Sequence, residues 1–204
     1  MHLSRNQYND IASFKTDYLV KYKGVIYDIN TFFSNERLNL HILPGSFNPI
    51  HDGHKFIYSY MTRNCDYYSS KNCLYEISLY RHNKNTYSLD QINSVLEQFS
   101  DVSVLITNKS KFTEKIGALY NLTDQWFPSY YMGIDTFIRL YEDIGFFGIS
   151  ALRSKFYVFD RVTENTRYSL SNYSQIPRNC VPVDDTQDDY LLRLSSTNIR
   201  TATI

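Results

Sequence analysis

Cysteine is scarce and carries no pairing pattern. Cys65, Cys73 and Cys180 are the three in 204 residues. They form an odd set without CxxC or Cys/His spacing, which gives no support to a disulfide framework or a structural zinc site and fits a reducing compartment. Net charge is also lacking, since Lys+Arg and Asp+Glu each number 21. A general nucleic-acid binder normally shows a basic excess, so any phosphate chemistry must be local. No apolar run approaches the length that crosses a bilayer, and Met1-His2-Leu3-Ser4-Arg5-Asn6 lacks the apolar stretch of a signal peptide. A soluble protein of the cytoplasm is therefore expected, with neither membrane nor nucleic acid as partner. Internal repeats and low-complexity tracts are missing too, and the acidic stretch Asp184, Asp185, Asp188, Asp189 reads as a solvated loop rather than a metal site.

What remains is a globular composition, 43% hydrophobic and 21% charged, long enough to bury a sizeable core. Residues 1–37 scatter aromatics such as Tyr8, Phe14, Tyr18, Tyr27 and Phe32 among polar residues and read as an N-terminal extension, helical or irregular, packed on the main body. From Leu38 the pattern changes. Leu38 to Leu43 reads as a strand, Pro44 to Gly53 as a turn-rich loop, and His54 to Arg63 as a helix. A strand at Leu74 to Leu79 precedes a helix opened by a capping box, Ser88 with Gln91. Further strands are predicted at Val102 to Thr107, Ser129 to Gly133 and Lys155 to Phe159, with helices from Phe112 to Tyr120 and through Phe137 and Leu140. Such alternation implies right-handed crossovers and an α/β fold, a doubly wound parallel sheet with helices on both faces, over residues 38–204.

Two of the seven glycines, two of the five prolines and two of the five histidines crowd into Pro44-Gly45-Ser46-Phe47-Asn48-Pro49-Ile50-His51-Asp52-Gly53-His54. Gly45 would let the main chain approach a ligand after the strand, Pro49 stiffens the loop, and Gly53 removes bulk where the helix begins. Free N–H groups and the helix dipole make that helix start an anion site, with His51 and His54 facing a phosphate. Two other readings stand beside this one. The histidines could be zinc ligands at helical spacing, but no third His or Cys is suitably placed; or they could simply cap the helix.

Gly45-Ser46-Phe47-Asn48-Pro49-Ile50-His51-Asp52-Gly53-His54 resembles the GSFxPxHxGH signature of the cytidylyltransferase-like nucleotidyltransferases, a Rossmann-like superfamily. Leu194-Ser195-Ser196-Thr197-Asn198-Ile199-Arg200 is similar to the second signature of that superfamily, ISSTxIR. Met132-Gly133-Ile134-Asp135-Thr136 resembles the GxDT segment of its nicotinamide-mononucleotide adenylyltransferase branch. The resemblance implies a reaction in which the acceptor's phosphate attacks the α-phosphorus of ATP and pyrophosphate leaves. It assigns His54, His51 and Arg200 to catalysis. Gly45, Ser46, Phe47, Asn48, Gly53, Gly133, Asp135, Ser195, Ser196 and Thr197 would line the nucleotide site, and Mg²⁺ would arrive on the triphosphate, with no metal held by the protein alone. Asp135 has a structural alternative, as a helix N-cap. Lys55, Arg81 and Lys84 read as solvated surface cations.

The acceptor nominated by this resemblance is nicotinamide or nicotinate mononucleotide. Phosphopantetheine, or a phosphorylated alcohol with CTP, stays open as the alternative, as does a nucleotide-binding regulator without turnover.

Overall fold

Eight segments rich in aromatic and aliphatic residues line up as one sheet in the computed structural model, which describes residues 2–33, 39–65, 71–80, 85–122, 128–163 and 166–184. The chain opens with α1 (Arg5–Ala12), a hairpin of β1 (Tyr18–Tyr22) and β2 (Val25–Asp28), and the single turn α2 (Ile29–Phe32). Then follow β3 (His41–Pro44), α3 (Asp52–Arg63), β4 (Cys73–Ser78), α4 (Leu89–Glu97), β5 (Ser103–Thr107) and α5 (Phe112–Leu122). The second half contains β6 (Ser129–Gly133), α6 (Ile134–Ala151), β7 (Lys155–Phe159), a small hairpin of β8 (Arg161–Thr163) and β9 (Thr166–Tyr168), and β10 (Cys180–Val183).

The strand order is β10-β7-β6-β3-β4-β5-β1-β2. Every neighbouring pair from β10 to β5 is parallel, whereas β1 runs antiparallel to both β5 and β2. Successive strand residues alternate faces and are buried on both. Tyr130 and Met132 pack with Ile116 and Leu119 of α5 and Phe137 and Leu140 of α6, while Tyr131 joins Met61 of α3 and Ile92 and Val95 of α4. Helices thus cover both faces of a mostly parallel sheet, the Rossmann-like arrangement expected from the alternation of elements.

The N-terminal residues differ from the helical or irregular cover expected of them. Residues 18–28 extend the sheet itself, joined by Lys23 and Gly24, both at positive φ (46° and 77°) as a type I′ hairpin turn requires. Lys21 is buried because its Nζ donates to the carbonyls of Leu96 (3.0 Å) and Phe99 at the end of α4, where a cation complements the helix dipole. The capping box of α4 forms as read: Gln91 N donates to Ser88 Oγ (3.3 Å) and Ser88 N to Gln91 Oε1 (3.0 Å). A buried ion pair, Lys115 Nζ to Glu76 Oε2 at 2.9 Å, ties α5 to β4. Cys65 and Cys73 are free thiols 3.7 Å apart, a proximity that their spacing in the sequence does not announce. No helix among the described residues is long and apolar enough to cross a membrane.

Candidate functional site

Within the parallel part of the sheet β3 comes first in the chain. The next two strands, β4 and β5, are laid to one side of it, and β6 and β7 to the other. Strand order reverses between β3 and β6, and doubly wound sheets bind ligands in the crevice that such a reversal leaves beyond the carboxyl ends of the strands. Here the two strands share only the pairs His41–Ser129 and Ile42–Tyr130. Pro44 and Gly133, where they end, lie beyond the paired register. Gly45 to Asp52 leaves the first of these ends and α6 starts at the second, so the loop and the Gly133–Asp135 segment meet at one crevice.

The loop is held by its surroundings. Gly45 N donates to Glu76 O (3.0 Å), Tyr87 Oη to Ser46 O (3.0 Å), and Gln98 Nε2 to Phe47 O (3.0 Å), while Ile50 N donates to Gln98 Oε1 (2.9 Å). Phe47 is fully buried, edge-on to Tyr75, Phe99 and His54 at 5.1, 5.5 and 4.8 Å between centroids. It adopts φ 46°, a left-handed conformation that costs a bulky residue about 1–2 kcal/mol and is sustained by this packing.

Packing accounts for two of the loop residues. The Phe47 side chain is core, because its ring fills the space beneath the loop, which leaves only its main chain to meet a nucleotide. Gly45 is required for the same reason, since a Cβ there would come within 2.6 Å of the Phe47 ring. Its small size makes room for that ring. Ser46 is half-buried and Asn48 exposed at the loop's outer side, and Gly53 is the second residue of α3.

His51 is the N-cap of α3 and His54 stands one turn on. Their rings stack at 3.6 Å, and His51 N donates to His54 Nδ1 at 3.3 Å. With Nδ1 accepting, the neutral ring carries its proton on Nε2. Burial, reinforced by the neighbouring His51, pulls the His54 pKa down to about 3. His54 is therefore a neutral imidazole with an Nε2–H donor across the physiological range. His51 is also held below the ordinary histidine value, by burial first and then by the charge of Arg161 against the opposing pull of Asp52. Among the described residues its buried Nδ1 has no hydrogen-bond partner. Both histidines thus belong to the helix start as capping would have it, yet His51 presents an unused polar atom there.

Gly133 ends β6 and caps α6 at φ −70°, ψ 156°, a conformation open to any residue, and a Cβ added there meets nothing within 4 Å among the described residues. Neither backbone geometry nor packing demands glycine. Asp135 is not the N-cap. It lies in the first turn of α6, half-exposed, and its carboxylate pairs with Arg161. Arg161 opens β8, two residues past the end of β7, and was not singled out in the sequence. Its only signal was position, just past a strand end on the carboxyl side. Lys55 pairs with Asp52 at 3.0 Å, both exposed, as a solvated surface cation would.

The crevice therefore gathers His51, His54, Gly133, Asp135 and Arg161, and apart from the Asp135 carboxylate its chemical character is that of donors: an imidazole N–H, a guanidinium and a helix start. Such a set suits an anion, whereas a metal would need acceptors. Among the described residues no group of three or more His, Cys, Asp or Glu side chains could hold a metal ion. Ser195, Ser196, Thr197 and Arg200, with Arg81 and Lys84, lie outside the described residues.

No protein-family model matches this chain, and no curated protein matches it. Solved structures do. The chain is similar to the Plasmodium falciparum nicotinic acid mononucleotide adenylyltransferase complexed with NaAD, with a TM-score of 0.57 and 14% identity over 80% of this chain and 82% of that one. It is also similar to the same enzyme complexed with APC, with a TM-score of 0.54 and 13% identity over the same shares. At these identities the likeness establishes the fold, which the chain shares with a nucleotidyltransferase.

Proposed function

We propose that this chain is an adenylyltransferase that moves AMP from MgATP to nicotinate or nicotinamide mononucleotide, forming the dinucleotide of NAD biosynthesis and releasing pyrophosphate. The observation that carries the reading is His54. It is a neutral imidazole, fixed in one tautomer by the main chain of His51, at the helix start beside the switch-point crevice of a fold shared with a nucleotidyltransferase.

In this reaction an oxygen of the acceptor's phosphate forms a bond to the α-phosphorus, the bond from that phosphorus to the bridging oxygen breaks, and pyrophosphate departs with the electron pair. The nucleophile needs no general base, because the second pKa of a phosphate monoester is about 6. What remains is positioning and the stabilisation of charge. His54 Nε2–H donates to the α-phosphate as charge builds there. His51 assists along the triphosphate. Ser195, Ser196, Thr197 and Arg200 hold the β- and γ-phosphates in this reading, hydroxyls at a helix start with a guanidinium one turn on. Magnesium enters on the nucleotide as part of the substrate. The open face of Gly133 leaves room for the main chain to touch the ligand.

Calorimetry with nicotinate and nicotinamide adenine dinucleotides, beside dephospho-coenzyme A and a CDP-alcohol, tests the assignment. Binding of a pyridine dinucleotide is expected. Its failure, with clear binding of another product, would reassign the acceptor.

A further inference from the structure

Gly133 and Phe159 are paired in register, and two residues beyond each stand Asp135 and Arg161, which reach across to one another. The other described cations near this edge are committed. Lys55 is held by Asp52 (3.0 Å), Arg167 by Asp160 (2.7 Å) and Asp184, and Arg139 Nε donates to its own helix at Asp135 O (3.2 Å). Arg161 differs, because among the described residues its Nε is buried without a hydrogen-bond partner, as is Nδ1 of the nearby His51. Among the described residues, then, two side chains at one crevice, a guanidinium and an imidazole, each keep a polar atom available to an anion. The pair with Asp135 is only a loose hold, since the carboxylate side chain is 44% exposed and the guanidinium 24%. A phosphoryl group offers a guanidinium a stronger, bidentate partner.

We propose that Arg161 exchanges partners on ligand binding: it leaves Asp135 for a phosphoryl oxygen beside His51, and the freed Asp135 carboxylate accepts from the hydroxyls of the ligand's ribose. The inference rests on the nucleotide reading above and adds to it a positioning pair that switches as a unit. The anion is a nucleotide phosphate or diphosphate, and the sugar bears vicinal hydroxyls. In the free protein each charge faces the other through Arg161 Nη1, while Arg161 Nε stays available to the incoming anion.

The exchange gives opposite signs for two simple probes. Inorganic pyrophosphate competes with Asp135 for Arg161, so Asp135→Asn strengthens pyrophosphate binding several-fold. Adenosine carries the ribose without phosphate, so the same variant weakens it. Arg161→Gln weakens pyrophosphate and ATP by about tenfold or more, the scale of a lost charge-assisted bond, and leaves adenosine unweakened. Arg161→Lys falls between and serves where the glutamine variant does not fold. The gain from Asp135→Asn must vanish in the Arg161→Gln background, whereas a general loss of negative charge would raise anion affinity in both.

Ligand-observed NMR titrations on the full chain, beside thermal melts, measure all of these. Unchanged or weaker pyrophosphate binding in folded Asp135→Asn overturns the exchange, as does a gain that survives in the double variant. Wild type that binds ATP and pyrophosphate but is indifferent to Arg161 refutes this inference alone. Wild type that binds neither refutes the nucleotide reading beneath it.

Discussion

Replacing His54 by glutamine should flatten the dependence of stability on acid. In the folded protein His54 stays neutral down to about pH 3, because it is buried and stacked against His51. In the unfolded chain it takes up a proton near pH 6.5, the value of an unperturbed histidine, so about 6.5 marks the upper end of the effect. Between these values the unfolded state binds one more proton, so stability rises with pH. The contribution is intact above the unfolded value and is lost progressively as pH falls toward the folded one. For one such group the loss from roughly pH 6.5 to roughly pH 4.5 comes to about 2 kcal/mol. Glutamine has no such proton, and its amide oxygen can still accept from His51 N. His51 titrates in both proteins, so comparing the two isolates position 54. Urea denaturation of wild type and His54→Gln across this range gives the two profiles. Wild type should lose about 2 kcal/mol more than the variant. Parallel profiles would mean that His54 titrates normally in the folded state, and the fixed neutral donor would be refuted.

His54→Ala should lower kcat for pyrophosphate release by about 10²–10³, with most nucleotide affinity retained, because the donor matters as charge develops; near wild-type turnover would remove His54 from the chemistry. Gly133→Val should cost no more than about 1 kcal/mol in melts, the scale of a poorer N-cap, since its φ and ψ suit any residue and a Cβ meets open space, yet abolish dinucleotide binding in calorimetry. Lys115→Met should destabilise by about 3–5 kcal/mol in urea melts, because it leaves Glu76 a buried charge without its partner.

Much of the central sheet was legible because its signals are local. Ser129 to Gly133 and Lys155 to Phe159 are strands at the bounds read from sequence, and the Ser88–Gln91 box starts α4. The hairpin of β1 and β2 was not legible. Tyr18, Leu19, Val20 and Lys21 are all buried, so the alternation that marks a half-buried strand is absent, and Lys21 is inside only because distant α4 carbonyls receive it. The end of α6 at Ala151 was hidden as well, since the helix resumes across Gly145 at φ 67°.

At the site, the loop advertised itself through crowded glycine, proline and histidine. The division of labour within it did not. That Phe47 is core and Gly45 makes room for its ring depends on Tyr75 and Phe99, far along the chain. Gln98 and Tyr87, which brace the loop, and Arg161, which meets Asp135, are polar residues whose use is set by the fold and by no local pattern.

Pyrophosphate release from ATP and Mg²⁺, screened against nicotinate mononucleotide, nicotinamide mononucleotide and phosphopantetheine, with CTP and a phosphorylated alcohol as a further arm, tests the proposed activity most directly. Release that requires one of the two pyridine mononucleotides and collapses in His54→Ala is expected. Release with none of the acceptors, or only with phosphopantetheine or the CTP arm, would contradict it.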